Sequence, residues 1–263
     1  MIRLSIWLSN GLANYGHETI ICVANEPQLR IESSPEISAR DCSKFILETL
    51  TAALSRAPQA TIAISGGSSP KLLFTEMAKA AFDWSKLHIF WVDERCVPPT
   101  DSQSNFKLAN DTLLEAAKIP EKNIHRVYGE LPPEEGAARY NADIKKFFAL
   151  GDGQLPVFDV LHRGMGPDAH TASLFPGEPL IANRSGIAAH VWVEKMKMDR
   201  VSLLPGVLLA AKTTVLQVSG AEKAEATRHV LKEPEDYFRY PCQIASRSAN
   251  AVWFLDRAAA AML

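Results

Sequence analysis

Asp168 and His170 stand one residue apart on a loop that also holds Gly164, Gly166 and Pro167. An imidazole takes a proton from water near neutral pH, and a neighbouring carboxylate orients the ring or holds its charge. The same residues also read as an ordinary turn, with Asp168 capping and His170 solvated. Three other segments carry possible chemistry. Ser65-Gly66-Gly67-Ser68-Ser69-Pro70 offers hydroxyls, free backbone N–H groups and glycines at a helix start, which suits a phosphate. It lacks the Gly-Lys-Ser/Thr ending of a Walker loop, and a serine-rich helix cap without ligand is the plain alternative. Asp93-Glu94-Arg95 packs three charges together; Arg95 can fork onto a phosphate or carboxylate, or pair locally on the surface. Lys223, in Ser219-Gly220-Ala221-Glu222-Lys223, can reach an anion at a helix start or serve as a surface charge.

Strands must deliver each of these segments. Ala60–Ile64, Leu87–Val92, Phe158–Leu161 and Thr213–Val218 are short apolar or β-branched runs that predict buried strands, and each leads into one of the four segments. Ser33-Ser34-Pro35-Glu36 starts a helix reaching about Arg56. Further helices are expected over 71–81, 106–117, from Pro132 to about Leu150, 205–211, to Leu231, and 256–262. Thr171 to Phe175 reads as a short helical turn, and Lys195 and Lys197 as part of a solvated loop. His190–Val193, Arg200–Leu203 and Ala251–Leu255 are extended. The repeated β-then-α order predicts an α/β fold, a mostly parallel sheet with helices on both faces. Ligands of such sheets sit beyond the carboxyl ends of the strands, so the four segments are expected to share one rim.

Composition sets the outer limits. The 263 residues are 47% hydrophobic, enough for a sizeable core. The formal net charge of −2 gives no bulk electrostatic case for nucleic acid or anionic membrane. Four cysteines without a C-x-x-C pair argue against a zinc site or disulfide framework and suit a reducing cytosol. The apolar run in residues 1–8 is too short for a secretory or membrane-spanning segment. Residues 1–25 are expected to be an extension, and 26–263 one catalytic domain.

Several blocks together resemble the 6-phosphogluconolactonase family: the Ser65–Pro70 loop, Trp91-Val92-Asp93-Glu94-Arg95, Ser104-Asn105, Gly164–Pro176 and Gly220-Ala221-Glu222-Lys223-Ala224. The resemblance runs in order from about Ser34 to the C-terminus, and Gly164–Pro176 is its most specific part. It implies a Rossmann-like fold shared with glucosamine-6-phosphate deaminases. It also implies cytoplasmic hydrolysis of 6-phospho-D-glucono-1,5-lactone in the pentose phosphate pathway, with no cofactor, no metal and a monomer or weak homo-oligomer. His170 would be the general base, supported by Asp168. Arg95, Lys223 and Ser65, Gly66, Gly67, Ser68 and Ser69 would hold phosphate or product carboxylate, with Asn105, Gly164, Gly166 and Arg200 around the substrate. A lactone carbonyl is electrophilic enough for water activated by a base. The chain departs from the family pattern in four places: Ala169 replaces a glycine, His162 and Arg163 replace apolar residues, and Leu204-Pro205-Gly206-Val207-Leu208 lacks the asparagine usual soon after the proline. If position 169 needs a positive φ, alanine carries a cost there. Two rival readings are an amino-sugar phosphate deaminase and a non-catalytic sugar-phosphate sensor. Thr171–Pro176 supplies no acid of the kind the deaminases carry after their histidine, and no basic helix-turn-helix precedes the domain.

Overall fold

The computed structural model describes residues 26–263; the extension read in residues 1–25 lies outside the described residues. Seven strands form one all-parallel sheet: β1 (Gln28–Glu32), β2 (Ala60–Ile64), β3 (Leu87–Trp91), β5 (Ile124–His125), β6 (Val160–Arg163), β9 (Thr213–Val218) and β10 (Ala251–Asp256). Their order across the sheet is β1-β10-β9-β6-β2-β3-β5. A second, antiparallel sheet takes β4 (Asp93–Arg95), β8 (Met198–Leu203) and β7 (Ala188–Val193), in that order.

The helices follow from capping and apolar spacing. α1 (Pro35–Leu54) has Pro35 in its first turn, and the Ser34 hydroxyl accepts from the Ile37 N–H. Its buried stripe of Ala39, Cys42, Ile46, Leu50 and Ala53 recurs every three or four residues and covers the sheet. α2 (Ser68–Met77), α3 (Asn105–Ala109), α4 (Pro133–Phe147), α5 (Pro205–Ala210) and α6 (Ala224–Lys232) complete the set. Alternation along β10 divides the core between the two faces. Phe254 joins the larger cluster with α1 and α2, while Trp253 and Leu255 join a smaller one with Ala226 and Val230 of α6.

The strand order sets the position of the site. The chain leaves β2 toward β3 on one side, and leaves β6 toward β9 on the other. β2 and β6 are neighbours, so the loops after them diverge and open a crevice at the carboxyl end of the sheet.

Four expectations need correction. Thr171–Phe175 is not helical: the segment is a tight turn in which Thr171 and Leu174 bridge each other, because the Thr171 hydroxyl is tied back to the Gly164 carbonyl. The helix expected over Asp256–Met262 does not form: Asp256 ends β10, and Arg257–Met262 are turns. Asp93–Arg95, read only as a charged segment following a strand, is a strand of its own, because β8 lies alongside to pair with it. β1 was not anticipated at all; as an edge strand it is only partly buried and carries little apolar signal.

Candidate active site

The four segments meet in one cleft at that crevice. The Ser65–Pro70 loop, Arg95, Asn105, Gly164, Gly166, His170, Arg200 and Lys223 all line it. Asp168 lies just behind, against His170. Asp93, Met165, Thr171, Gln217 and Ser219 line it as well; sequence reasoning assigned none of them a role in the site.

The loop after β6 fixes the acid–base pair. A turn closes from Gly166 to Ala169, and the Gly166 N–H also donates to the His170 carbonyl, 2.9 Å away. A Cβ at Gly166 would overlap the His170 ring and the Asp168 carboxylate, so only glycine allows this approach. Ala169 takes φ +62°, the left-handed conformation that the family glycine would adopt without penalty. His170 Nδ1 lies 2.5 Å from Asp168 Oδ1, and the ring stacks on Phe175 with centroids 4.1 Å apart. Asp168 therefore accepts from Nδ1–H and leaves Nε2 with its lone pair free. Lys195 Nζ reaches the other carboxylate oxygen at 3.0 Å. Burial pushes the Asp168 carboxyl up, but the His170 hydrogen bond and charge, with Lys195, outweigh it and hold the group well below the usual carboxylate range. Lys195 sits 27 residues from Asp168 in sequence, and the turn between β7 and β8 carries it there.

The opposite wall is cationic. Each charge of Asp93-Glu94-Arg95 has a separate task. Asp93 accepts from the Ser173 hydroxyl at 2.7 Å and lies 3.7 Å from Arg200 Nη1. Glu94 is buried and accepts from the N–H groups of Arg95, Asn105 and Phe106 and from the Ser104 hydroxyl. Burial raises its carboxyl against those backbone donors. It thereby pins α3 to β4. Arg95 is left to face the cleft, steadied by the Gln103 carbonyl.

Arg95 and Arg200 are register partners across β4 and β8. Like charges directly opposed in a sheet are destabilising unless an anion lies between them. Asp93 offsets one of the two. Burial lowers the Arg200 guanidinium, opposed by Asp93, and burial likewise lowers the Lys223 ammonium, opposed by Glu222 and Asp168. Lys223 has no ion-pair partner among the described residues.

Buried polar atoms around the cleft lack protein partners: Ser65 Oγ, Arg95 Nε, Asn105 Oδ1, Arg200 Nε, Ser219 Oγ and both amide atoms of Gln217. Each such group costs about 1–3 kcal/mol when left unmade. Their convergence beside three cations marks the cleft as a seat for a polar anion. α2 adds the free N–H groups of its first turn, since no side chain caps it. Gly66 permits the close approach of Asn105, whose side-chain N–H donates to the Asp93 carbonyl at 2.8 Å.

The departures His162 and Arg163 are both fully buried at the end of β6. Arg163 donates to the Thr171 hydroxyl at 3.2 Å and to the Ile244 carbonyl, so it braces the loop that carries Asp168 and His170.

Comparison with known proteins gives a consistent picture. The model of the family described as glucosamine-6-phosphate isomerases/6-phosphogluconolactonase matches residues 33–253. A 6-phosphogluconolactonase from Synechocystis sp. is 32% identical over 234 residues, covering 89% of this chain and 97% of the relative. The solved 6-phosphogluconolactonase of Trypanosoma brucei superposes with a TM-score of 0.80 at 25% identity, covering 91% of this chain and 100% of that one. The fold alone is shared with a monomeric glucosamine-6-phosphate deaminase, with a TM-score of 0.76 at 16% identity over 89% of this chain and 99% of that one.

Proposed function

The chain belongs to the glucosamine-6-phosphate isomerase/6-phosphogluconolactonase family, and from that membership we infer that its cleft hydrolyses 6-phospho-D-glucono-1,5-lactone to 6-phosphogluconate. The observation that carries this reading is the free Nε2 of His170, its ring locked by Asp168 and Phe175, facing a cleft with three cations.

Water enters at Nε2. As its oxygen bonds to the lactone carbonyl carbon, the proton passes to His170, and Asp168 stabilises the imidazolium. The carbonyl oxygen becomes an oxyanion. Lys223, within electrostatic reach of Asp168, lies on the His170 side and offsets that charge. Collapse of the adduct breaks the bond to the ring oxygen, which takes the proton back from His170. The new carboxylic acid then ionises. The phosphate takes the first turn of α2, with Arg95 and Arg200 completing its seat. Lys195 positions Asp168 without touching the substrate. Among the described residues Asp93 is the one carboxylate lining the cleft, and it is committed to Ser173 and Arg200, so none of them offers a free acid for the ring opening that a deaminase needs.

Residues 26–263 act in this reading as one catalytic unit, without cofactor, metal or nucleic acid, as a monomer or weak homo-oligomer in the cytoplasm. No helix of the described residues is long and apolar enough to cross a membrane. The test is hydrolysis of freshly generated 6-phosphogluconolactone by the purified chain. Acceleration above the spontaneous rate is expected. Tight binding of 6-phosphogluconate with no acceleration would instead make the chain a sensor.

A further inference from the structure

β9 runs Thr-Thr-Val-Leu-Gln-Val, and Gln217 is its one long polar side chain. It is 1% exposed, yet it lines the cleft, and neither the nitrogen nor the oxygen of its amide has a protein partner. Next to it on β6 is His162, wholly buried, with both ring nitrogens also unpartnered. The register pairs His162 with Val215, two residues before Gln217, so both polar side chains lie on the α2 face of the sheet. Phe74 of α2 closes over the imidazole edge-on, with centroids 6.3 Å apart.

A polar pair kept for stability would complete its own hydrogen bonds. This pair does not. The Gln217 amide is close enough to favour a charged imidazole, but the two groups miss hydrogen-bond geometry. The amide's remaining outlet is the cleft. Three cations and the first turn of α2 already serve anions there, and a phosphate, which only accepts, would leave the amide oxygen unmet. A donor and an acceptor side by side match a hydroxyl, which accepts from Nε2–H and donates to Oε1.

We propose that Gln217 is a specificity-determining residue that hydrogen-bonds one hydroxyl of the sugar lactone, with His162 behind it as a positioning residue. This rests on the lactonase reading. A site that spends buried polar groups on a substrate hydroxyl rejects an analogue lacking it, because those groups are then left unpaired.

The experiment compares the purified wild type with Gln217→Leu on 6-phosphogluconolactone and on its 2-, 3- and 4-deoxy analogues. The variant is expected to lose about ten- to hundredfold in kcat/KM on the parent lactone. On one deoxy analogue, wild type and variant should be equal, which identifies the hydroxyl. Thermal unfolding of the variant should be unchanged or higher, since an unpaired buried amide is gone. His162→Leu should give a smaller loss on the same hydroxyl, and His162→Gln should restore it. An unchanged kcat/KM on the parent lactone, or an equal loss on all four, would overturn the proposal. If Gln217→Leu does not fold, Gln217→Met is read the same way. If the wild type accelerates no lactone, the lactonase reading fails separately. The same pattern is then sought in calorimetric binding of 6-phosphogluconate and its deoxy analogues, and its absence there overturns the proposal.

Discussion

At the amino ends of the parallel strands, Asp159 accepts from the Thr61 N–H and hydroxyl at 2.9 and 3.0 Å and pairs with Lys212 at 2.8 Å. His88 contacts His125 at 2.9 Å, and His125 contacts Asp143 at 2.8 Å. At the carboxyl ends, Ser65, Arg95, Asn105, Arg200, Gln217 and Ser219 all keep buried polar atoms without partners. At the amino end most polar groups hold strands together, although Asn123 Oδ1 and Thr214 Oγ1 lack partners there too. The other end leaves them unspent, in a position where two arginines oppose each other and an alanine is held at positive φ. Strain and unpaired groups of this kind persist only where the surrounding structure over-determines them, and they collect at functional sites. In the proposed reading, stability and function thus fall mainly at opposite ends of one sheet.

Substitutions at the two ends should separate accordingly. The largest effect is expected for His170→Ala: turnover of 6-phosphogluconolactone falls about 10²–10⁴-fold with little change in KM. Near-normal turnover would remove the base and weaken the contrast.

Acid should act on both ends. Burial, with a minor opposing pull from Gln217, lowers His162 to about 4, whereas the unfolded value is about 6.5. The native state therefore binds fewer protons between those values. The His162 contribution is complete above pH 6.5 and is lost as pH falls toward 4. Urea denaturation at pH 7 and 4.5 should differ by about 2–3 kcal/mol from this residue, and His162→Leu should lack that share. His88, also lowered to about 4 by burial and then His125, keeps a pH dependence in the same window.

Arg95→Ala should raise KM about ten- to hundredfold and leave kcat nearly intact, read from steady-state kinetics. Thr61→Val, at the closed end, should do the reverse. It removes a hydroxyl from the Asp159 group, lowers stability by about 1–2 kcal/mol in denaturant melts, and keeps kcat/KM within about twofold. A large activity loss there would erase the division between the ends. The smallest effect is expected for Ala169→Gly. Relief of the left-handed strain, about 1 kcal/mol, is offset by the lost buried methyl and the freer unfolded chain. The melting temperature should shift little and activity should hold.

The predicted strands Ala60–Ile64 and Thr213–Val218 match β2 and β9 residue for residue, because fully buried parallel strands are short apolar runs with sharp ends. The Ser65–Pro70 and Gly164–His170 loops were legible for a related reason: glycine, proline and serine at a strand's end encode backbone geometry locally. The condition attached to position 169, that a positive φ would cost an alanine, is met at φ +62°. What stayed hidden depends on partners distant in the chain. Whether Arg95 faces a ligand or a local acid is decided by Glu94 turning away to the N-terminus of α3. Lys195 reads as a solvated charge until the β7–β8 turn sets it on Asp168. Gln217 is the one long polar side chain of its strand until the register brings it beside His162. The sequence by itself determined which residues strands and turns present at the rim, since propensity and φ are local quantities. Only the tertiary structure decided which charges are paired and which are left for a ligand, since burial and distance between remote segments exist only once the sheet is assembled.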